Sequence, residues 1–222
     1  MSLSPLLISL KVAVTATFFA FLLGVYAAHR VVKMRRFKGL LDGLFTLPMV
    51  LPPTVVGFFL LLIFGKNGLL GQTLARLGAT VVFTWQGAVI AAAVVAFPLM
   101  YRTARGAFEQ MDGDLISAGR TLGMSEARIF WRVILPSCWH GVLSGMILAF
   151  ARALGEFGAT SMLAGNIPGR TQTMSLAIYS AVAGNNREKA YAWVAVIMAI
   201  SFVTMLIMNL LTGKNPRNGG SL

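Results

Sequence analysis

Residues 102–136 read RTARGAFEQMDGDLISAGRTLGMSEARIFWRVILP, the longest polar stretch in an otherwise largely apolar chain. The stretch has the grammar of two short helices broken by a turn. Asp112 suits the N-cap of the first, which runs through Leu115, Ala118, Thr121 and Leu122, because a side-chain oxygen there accepts an otherwise unpaired amide of the first helical turn. Gly123 follows, the residue type best suited to the left-handed conformation that ends a helix. Ser125 can cap a second helix that starts at Glu126 and contains Arg128, with Ile129, Phe130 and Val133 on neighbouring faces, before Leu135 and Pro136 close the stretch. A short amphipathic helix of this kind needs a docking partner.

Working outward, apolar runs occupy residues 5–28, 40–64, 85–101, 137–162 and 190–211, each near the ~20 residues that a membrane-spanning helix needs. With a hydrophobic fraction of 57% and only 12% charged residues, the solvent for these runs is lipid. The expected fold is therefore an all-α integral membrane protein with five transmembrane helices, one domain over residues 1–212 and a polar tail over 213–222. The first run has no basic region before it and is long for a cleaved leader, so it reads as a retained span. A net charge of +12 does not imply nucleic acid, because the basic residues lie in short blocks between the runs. Counting alternate connecting segments puts twelve basic residues on one side and five on the other, which places the N-terminus outside and the C-terminus inside. Cys138 is the only cysteine, which excludes a disulfide framework.

Within the spans the informative residues are few. Pro48, Pro52 and Pro53 remove backbone donors from the second run, which bends a helix and frees carbonyls, either as a packing kink or as part of a translocation path. Arg152 and Glu156 are charges four residues apart in the fourth run, so they share a helix face and can neutralise each other. A straight helix rising ~1.5 Å per residue from Pro136 would put Arg152 in the outer half of the membrane and Glu156 near its outer interface. A structural ion pair and a gate are both compatible with this pattern, with Thr160 and Ser161 as nearby hydrogen-bond donors. Gly141, Gly145 and Ala149 repeat at small-x-x-x-small spacing, which permits close helix approach. Residues 166–173 read as an outer turn with Pro168 and Gly169 at its centre. Neither His29 nor His140 has a ligand-spaced partner, so no metal site is expected.

Set in this frame, the polar stretch resembles the cytoplasmic loop of the permeases of ABC importers. That loop carries Glu-Ala-Ala, three residues, Gly, nine residues, Ile, one residue and Leu-Pro; here the same spacing is filled by Ser117-Ala118-Gly119, Gly123, Val133, Leu135 and Pro136. Ser117 stands where the family usually has Glu, and Asp114 lies one turn earlier as a possible substitute. The resemblance implies the type I importer permease fold, with the second short helix acting as the coupling helix on a separate ATPase. The chain itself has no phosphate-binding loop, since both Gly65-Lys66 and Gly213-Lys214 are followed by Asn. ATP and magnesium are thus expected on the partner, no cofactor on this chain, and the chain is not expected to be an enzyme.

The resemblance continues nearly to the C-terminus and is greatest to the molybdate permeases of this family. It is carried by Leu47–Gly57 (LPMVLPPTVVG), by Ala149–Thr160 (AFARALGEFGAT) and by Asn166–Gly169 (NIPG). Sulfate permeases are similar in the first two stretches, and the fold would serve sulfate or tungstate as well. The implied assembly is a homodimer in a bacterial cytoplasmic membrane, with two ATPase copies inside and a molybdate-binding protein outside. A secondary transporter driven by an ion gradient would instead use acidic groups inside spans, for which Asp42 and Glu156 are the candidates. A membrane-embedded enzyme would need a clustered catalytic set, and the sequence shows none.

Overall fold

The computed structural model describes residues 2–34 and 36–212; the tail 213–222 lies outside the described residues. The elements, all helical, are α1 (Ser4–Val32), α2 (Lys38–Val50), α3 (Pro53–Phe64), α4 (Leu69–Arg76), α5 (Trp85–Glu109), α6 (Gly113–Thr121), α7 (Glu126–Ile129), a π-helical turn (Phe130–Ile134), α8 (Leu135–Ser137), α9 (Trp139–Leu154), α10 (Gly158–Leu163), α11 (Met174–Ala183) and α12 (Arg187–Thr212). Three helices, α1, α5 and α12, are long and apolar enough to cross a membrane unaided, and two bent pairs raise the number to five if each pair is one span.

The first pair is the bend that the prolines of the second run signal, and the second pair corrects the straight fourth span expected from the sequence. Helices α2 and α3 meet at 109°. The cause is the Pro52-Pro53 pair: a residue before proline is pushed out of the helical region, and Leu51 and Pro52 accordingly take extended ψ values of 143° and 135°. Pro48, by contrast, is accommodated inside α2. The segment Glu126–Ser137 meets α9 at 76°, and the fourth run is broken again after Leu154, where Gly155, Glu156 and Phe157 interrupt it before α10. The second short helix of the polar stretch also runs further than its sequence suggests. It widens into the π-helical turn, in which the Leu135 amide donates to the Phe130 carbonyl, just ahead of Pro136, which has no amide to donate.

The core is built from small residues at four-residue spacing. Ala16, Ala20, Gly24 and Ala28 line one face of α1, and Ala88, Ala92, Ala96 and Ala104 line one face of α5; all are buried. A Cβ on Gly24 would stand 2.8 Å from Met100 Cγ, so the two backbones approach as closely as glycine allows. The Gly141, Gly145 and Ala149 stripe of α9 packs on α5 in the same way, with a Cβ on Gly141 only 2.6 Å from Ala107 Cβ and one on Gly145 3.0 Å from Thr103 Cβ. Where lipid takes the place of water, such close van der Waals contact supplies much of the helix–helix attraction. Helix α12 turns large apolar side chains outward, including Phe202, Val203 and Leu210, the reverse of a soluble protein.

Candidate functional site

The polar stretch folds by the local rules its sequence announces. Asp112 Oδ1 accepts the Asp114 amide at 2.9 Å and opens α6. Gly123 has φ +73°, and its amide donates to the Arg120 carbonyl while the Met124 amide donates to that of Gly119, closing α6. Ser125 Oγ accepts the Arg128 amide at 3.4 Å and opens α7. Ser117 Oγ donates back to the Gly113 carbonyl at 3.1 Å.

Burial redistributes the roles that the apolar pattern suggests. Ile129 is fully buried, and a Cβ on Gly119 would come within 3.2 Å of Ile129 Cγ1, so α6 and α7 are locked together through this pair. Phe130 packs on the ring of His29 at 4.5 Å and lies 6.3 Å from that of Phe108, tying the stretch to α1 and α5, and Val133 is half-buried. Ile129 is thus taken up inside the chain, and Phe130 is partly buried there beside it. The free face carries Leu115, Ala118, Leu122, Ser125, Arg128 and Trp131, with Leu122 80% and Trp131 66% exposed. Apolarity alone does not distinguish a side chain that meets the chain's own core from one that meets a partner.

Glu126 anchors this segment to the C-terminal end of α1. Its carboxylate takes Arg120 Nε at 2.8 Å on one oxygen and Lys33 Nζ at 2.7 Å on the other. Those two cations, Arg120 foremost, pull the Glu126 carboxyl down to about 2. Nearby, Arg105 of α5 pairs with Asp42 and with Glu109, Tyr101 donates to Asp42, and Lys38 pairs with Glu109, so α2 is held to α5 at the same end. Sequence reading missed this network; the Arg105–Glu109 spacing of four was the available signal.

The proline break and the charged break are brought together. A Cβ on Gly158 would lie 3.0 Å from Pro53 Cβ, and one on Gly57 would lie 2.7 Å from Ala159 Cα; α3 and α10 therefore pack backbone to backbone. Arg152 Nη1 lies 2.7 Å from Glu156 Oε2, the arginine 32% and the glutamate 2% exposed. Glu156 Oε1 accepts the Ala159 amide at 2.8 Å, so the carboxylate also caps α10. The ion pair is close without being an aligned hydrogen bond, so among the described residues Glu156 Oε2 has no hydrogen-bond partner, nor has the buried Thr160 hydroxyl. Ser161 donates to the Gly158 carbonyl at 2.9 Å and is not a free donor. Glu156 lies in the break that follows Leu154, beyond the end of α9, and not on a continuing straight helix. At the opposite end of the molecule from Glu126, Ile167 and Arg170 close the expected turn with a 3.1 Å amide-to-carbonyl bond around Pro168 and Gly169, the latter at φ +75°.

A bent-helix topology with a capped, partly exposed hairpin is now in view, and known proteins share it. The family described as binding-protein-dependent transport system inner membrane component matches residues 20–214. The chain belongs to this family. It is 45% identical to the putative molybdenum transport system permease protein YvgM of Bacillus subtilis, over 92% of this chain and 91% of the relative. It is 42% identical to the molybdenum transport system permease protein ModB of Escherichia coli, over 96% of this chain and 95% of the relative. The sulfate transport system permease protein CysW of Synechococcus elongatus is 35% identical, over 88% of this chain and 69% of the relative. Among solved structures, an inward-facing methionine ABC transporter, MetNI, overlays with a TM-score of 0.75 at 14% identity, covering 94% of this chain and 93% of the other. A bacterial alginate ABC transporter in complex with its pentasaccharide-bound periplasmic protein overlays at 0.73 and 14% identity, covering 98% and 80%. At these identities the overlays speak for the fold.

Proposed function

We propose that this chain is the membrane permease of an ATP-driven importer for molybdate. The observation that carries the reading is the capped hairpin of residues 112–136, with an exposed strip from Leu115 to Trp131 and a buried face fixed to α1 and α5, in a chain that matches molybdenum permeases over nearly its whole length. In this reading two copies of the chain form the membrane core, with N-termini outside and C-termini inside. Two ATPase subunits, which bind ATP and magnesium, dock on the exposed strip, and an extracytoplasmic binding protein delivers the anion. The chain hydrolyses nothing and binds no cofactor. Closing of the ATPase pair would push on Leu122, Arg128 and Trp131, and Ile129, Phe130 and the Lys33–Glu126 pair would carry the displacement to α1, α5 and α9. The bends at Pro52-Pro53 and at residues 155–157 are the breaks about which the path would open, with Pro48 on the inner limb. Arg152, balanced by Glu156, would attract an oxyanion without trapping it.

The sulfate relatives are less similar than the molybdenum ones. Asp42 and Glu156, the acidic groups an ion-gradient carrier would use, are both held in ion pairs. The test is reconstitution with the partner ATPase and binding protein. Uptake of radiolabelled molybdate that requires both partners and ATP supports the proposal; uptake that persists without the ATPase contradicts it.

A further inference from the structure

Lys11 is the only charged side chain between Ser4 and Ala28, two turns into a membrane-spanning helix, where an ionisable group is costly unless it has a partner or a role. Its ammonium lies 3.7 Å from the ring centroid of Trp85, at the start of α5. That contact draws the ammonium to the ring face but leaves its positive charge uncompensated. The two residues line a pocket of about 510 Å³ between α1, the start of α5 and the outer turn, and Arg170 is a second cation on its wall, beside Thr84 and Gln86. No carboxylate lines this pocket. Among the described residues neither Lys11 nor Arg170 forms an ion pair, whereas Asp42, Glu109, Glu126 and Glu156 are each paired with other cations. The rim includes Phe83, a non-glycine residue at φ +60°. Its amide donates to the Leu163 carbonyl at 3.1 Å, which fixes the wall that faces the two cations.

The geometry points to an anion subsite at this end of the permease: the pocket lined by Lys11, Trp85 and Arg170 takes a tetrahedral oxyanion group. Two cations on the wall of one pocket repel each other when it is empty; a dianion between them neutralises both, and the single charge of a phosphodiester offsets one. The indole holds the lysine in place and Gln86 supplies a polar side chain on the same wall, whereas the Thr84 hydroxyl is engaged as the α5 cap, donating to the Val81 carbonyl and accepting the Gly87 amide. The inference goes beyond the proposed function, because it assigns a site far from the hairpin and does not depend on which anion is transported. Free molybdate or phosphate, or the phosphate of an anionic lipid at the outer leaflet, presents this same chemistry.

The test uses the assembled transporter, without binding protein, in nanodiscs of neutral phosphatidylcholine, comparing the wild type with a Lys11→Met/Arg170→Gln double variant and a Lys11→Arg variant. Equilibrium binding of radiolabelled molybdate, and separately of inorganic phosphate, reads the free-ion source. Retention of phosphatidylglycerol by native mass spectrometry, after extraction from membranes that contain it, reads the lipid source. Loss of either binding by about tenfold or more in the double variant, the scale of one charge-assisted hydrogen bond, with retention in Lys11→Arg, supports the subsite and names its source. Size-exclusion profiles and basal ATP turnover on the same preparations show that the variants are assembled. Equal anion binding and equal lipid retention in the assembled wild type and double variant would overturn the inference. Because phosphate and lipid binding are read without transport, a failure of molybdate uptake would be distinguishable from a failure of this site.

Discussion

The hairpin of residues 112–136 and the break at residues 155–157 both interrupt helices, yet they deal with polar groups in opposite ways. The hairpin closes its backbone with short-range caps from Asp112, Gly123 and Ser125 and leaves a strip of large side chains uncovered. The break buries its carboxylate to 2% exposure, uses one oxygen as a helix cap, and sets the other against Arg152. An uncovered apolar strip beside water calls for a partner, whereas a buried, neutralised pair can hold a bend while the helices around it move. In the proposed function the difference separates a surface that would receive force from a joint that would keep its shape.

The largest expected effect lies on the inner face of the hairpin. Ile129→Asp buries an unpaired carboxylate where there is no exposed surface and should cost about 3 kcal/mol or more, seen as a lower melting temperature and loss of assembled transporter. Leu122→Asp, at 80% exposure, should leave melting nearly unchanged while weakening retention of the ATPase. Equal destabilisation by the two would erase the distinction between the faces.

A smaller effect should come from the break. Glu156→Leu removes the α10 cap and leaves Arg152 unpaired; because Arg152 is 32% exposed and keeps some solvent, the expected cost is about 2 kcal/mol. Glu156→Gln, which can still accept the Ala159 amide, should recover part of it. Thermal unfolding of both variants in detergent checks the order, and a Gln variant no better than Leu would show that the cap contributes nothing.

The smallest effect concerns the Glu126 contacts. Folding lowers this carboxyl from 4.5 to about 2, so its stabilisation is complete above the unfolded value and is lost as pH falls from there toward the folded one. Being exposed, the Lys33–Glu126 pair contributes less than about 1 kcal/mol. A spin label at Ala127→Cys in a Cys138→Ser background should show constant mobility at neutral pH and rising mobility in the acid window. Mobility that changes across neutral pH would point to a different group.

How much was legible in the sequence follows the same division. Caps, the left-handed glycine, the turn at Pro168-Gly169 and the apolar runs are local, and each has a residue type that announces it. What the sequence withheld was long-range. That Ile129 faces Gly119, that Gly158 meets Pro53, and that Lys11 lies over Trp85 depend on which helices become neighbours, and a single span read alone carries no sign of that. The 109° bend between α2 and α3 was half visible: three prolines signalled a kink, but its size depends on two consecutive pre-proline residues being driven extended.

Gly123→Val tests the account most directly, because a Cβ there meets no atom within 4 Å and acts only through the backbone at φ +73°. A β-branched residue is strained in that conformation by about 1–2 kcal/mol, which relaxes if the hairpin turn opens and Leu122, Arg128 and Trp131 change direction. With the ATPase and binding protein reconstituted, assembly, ATP turnover and molybdate uptake are measured on one preparation. The account predicts an assembled transporter that turns over ATP while uptake falls about tenfold or more, a coupling loss on the scale of that strain. Uptake coupled to ATP at the wild-type ratio would contradict it.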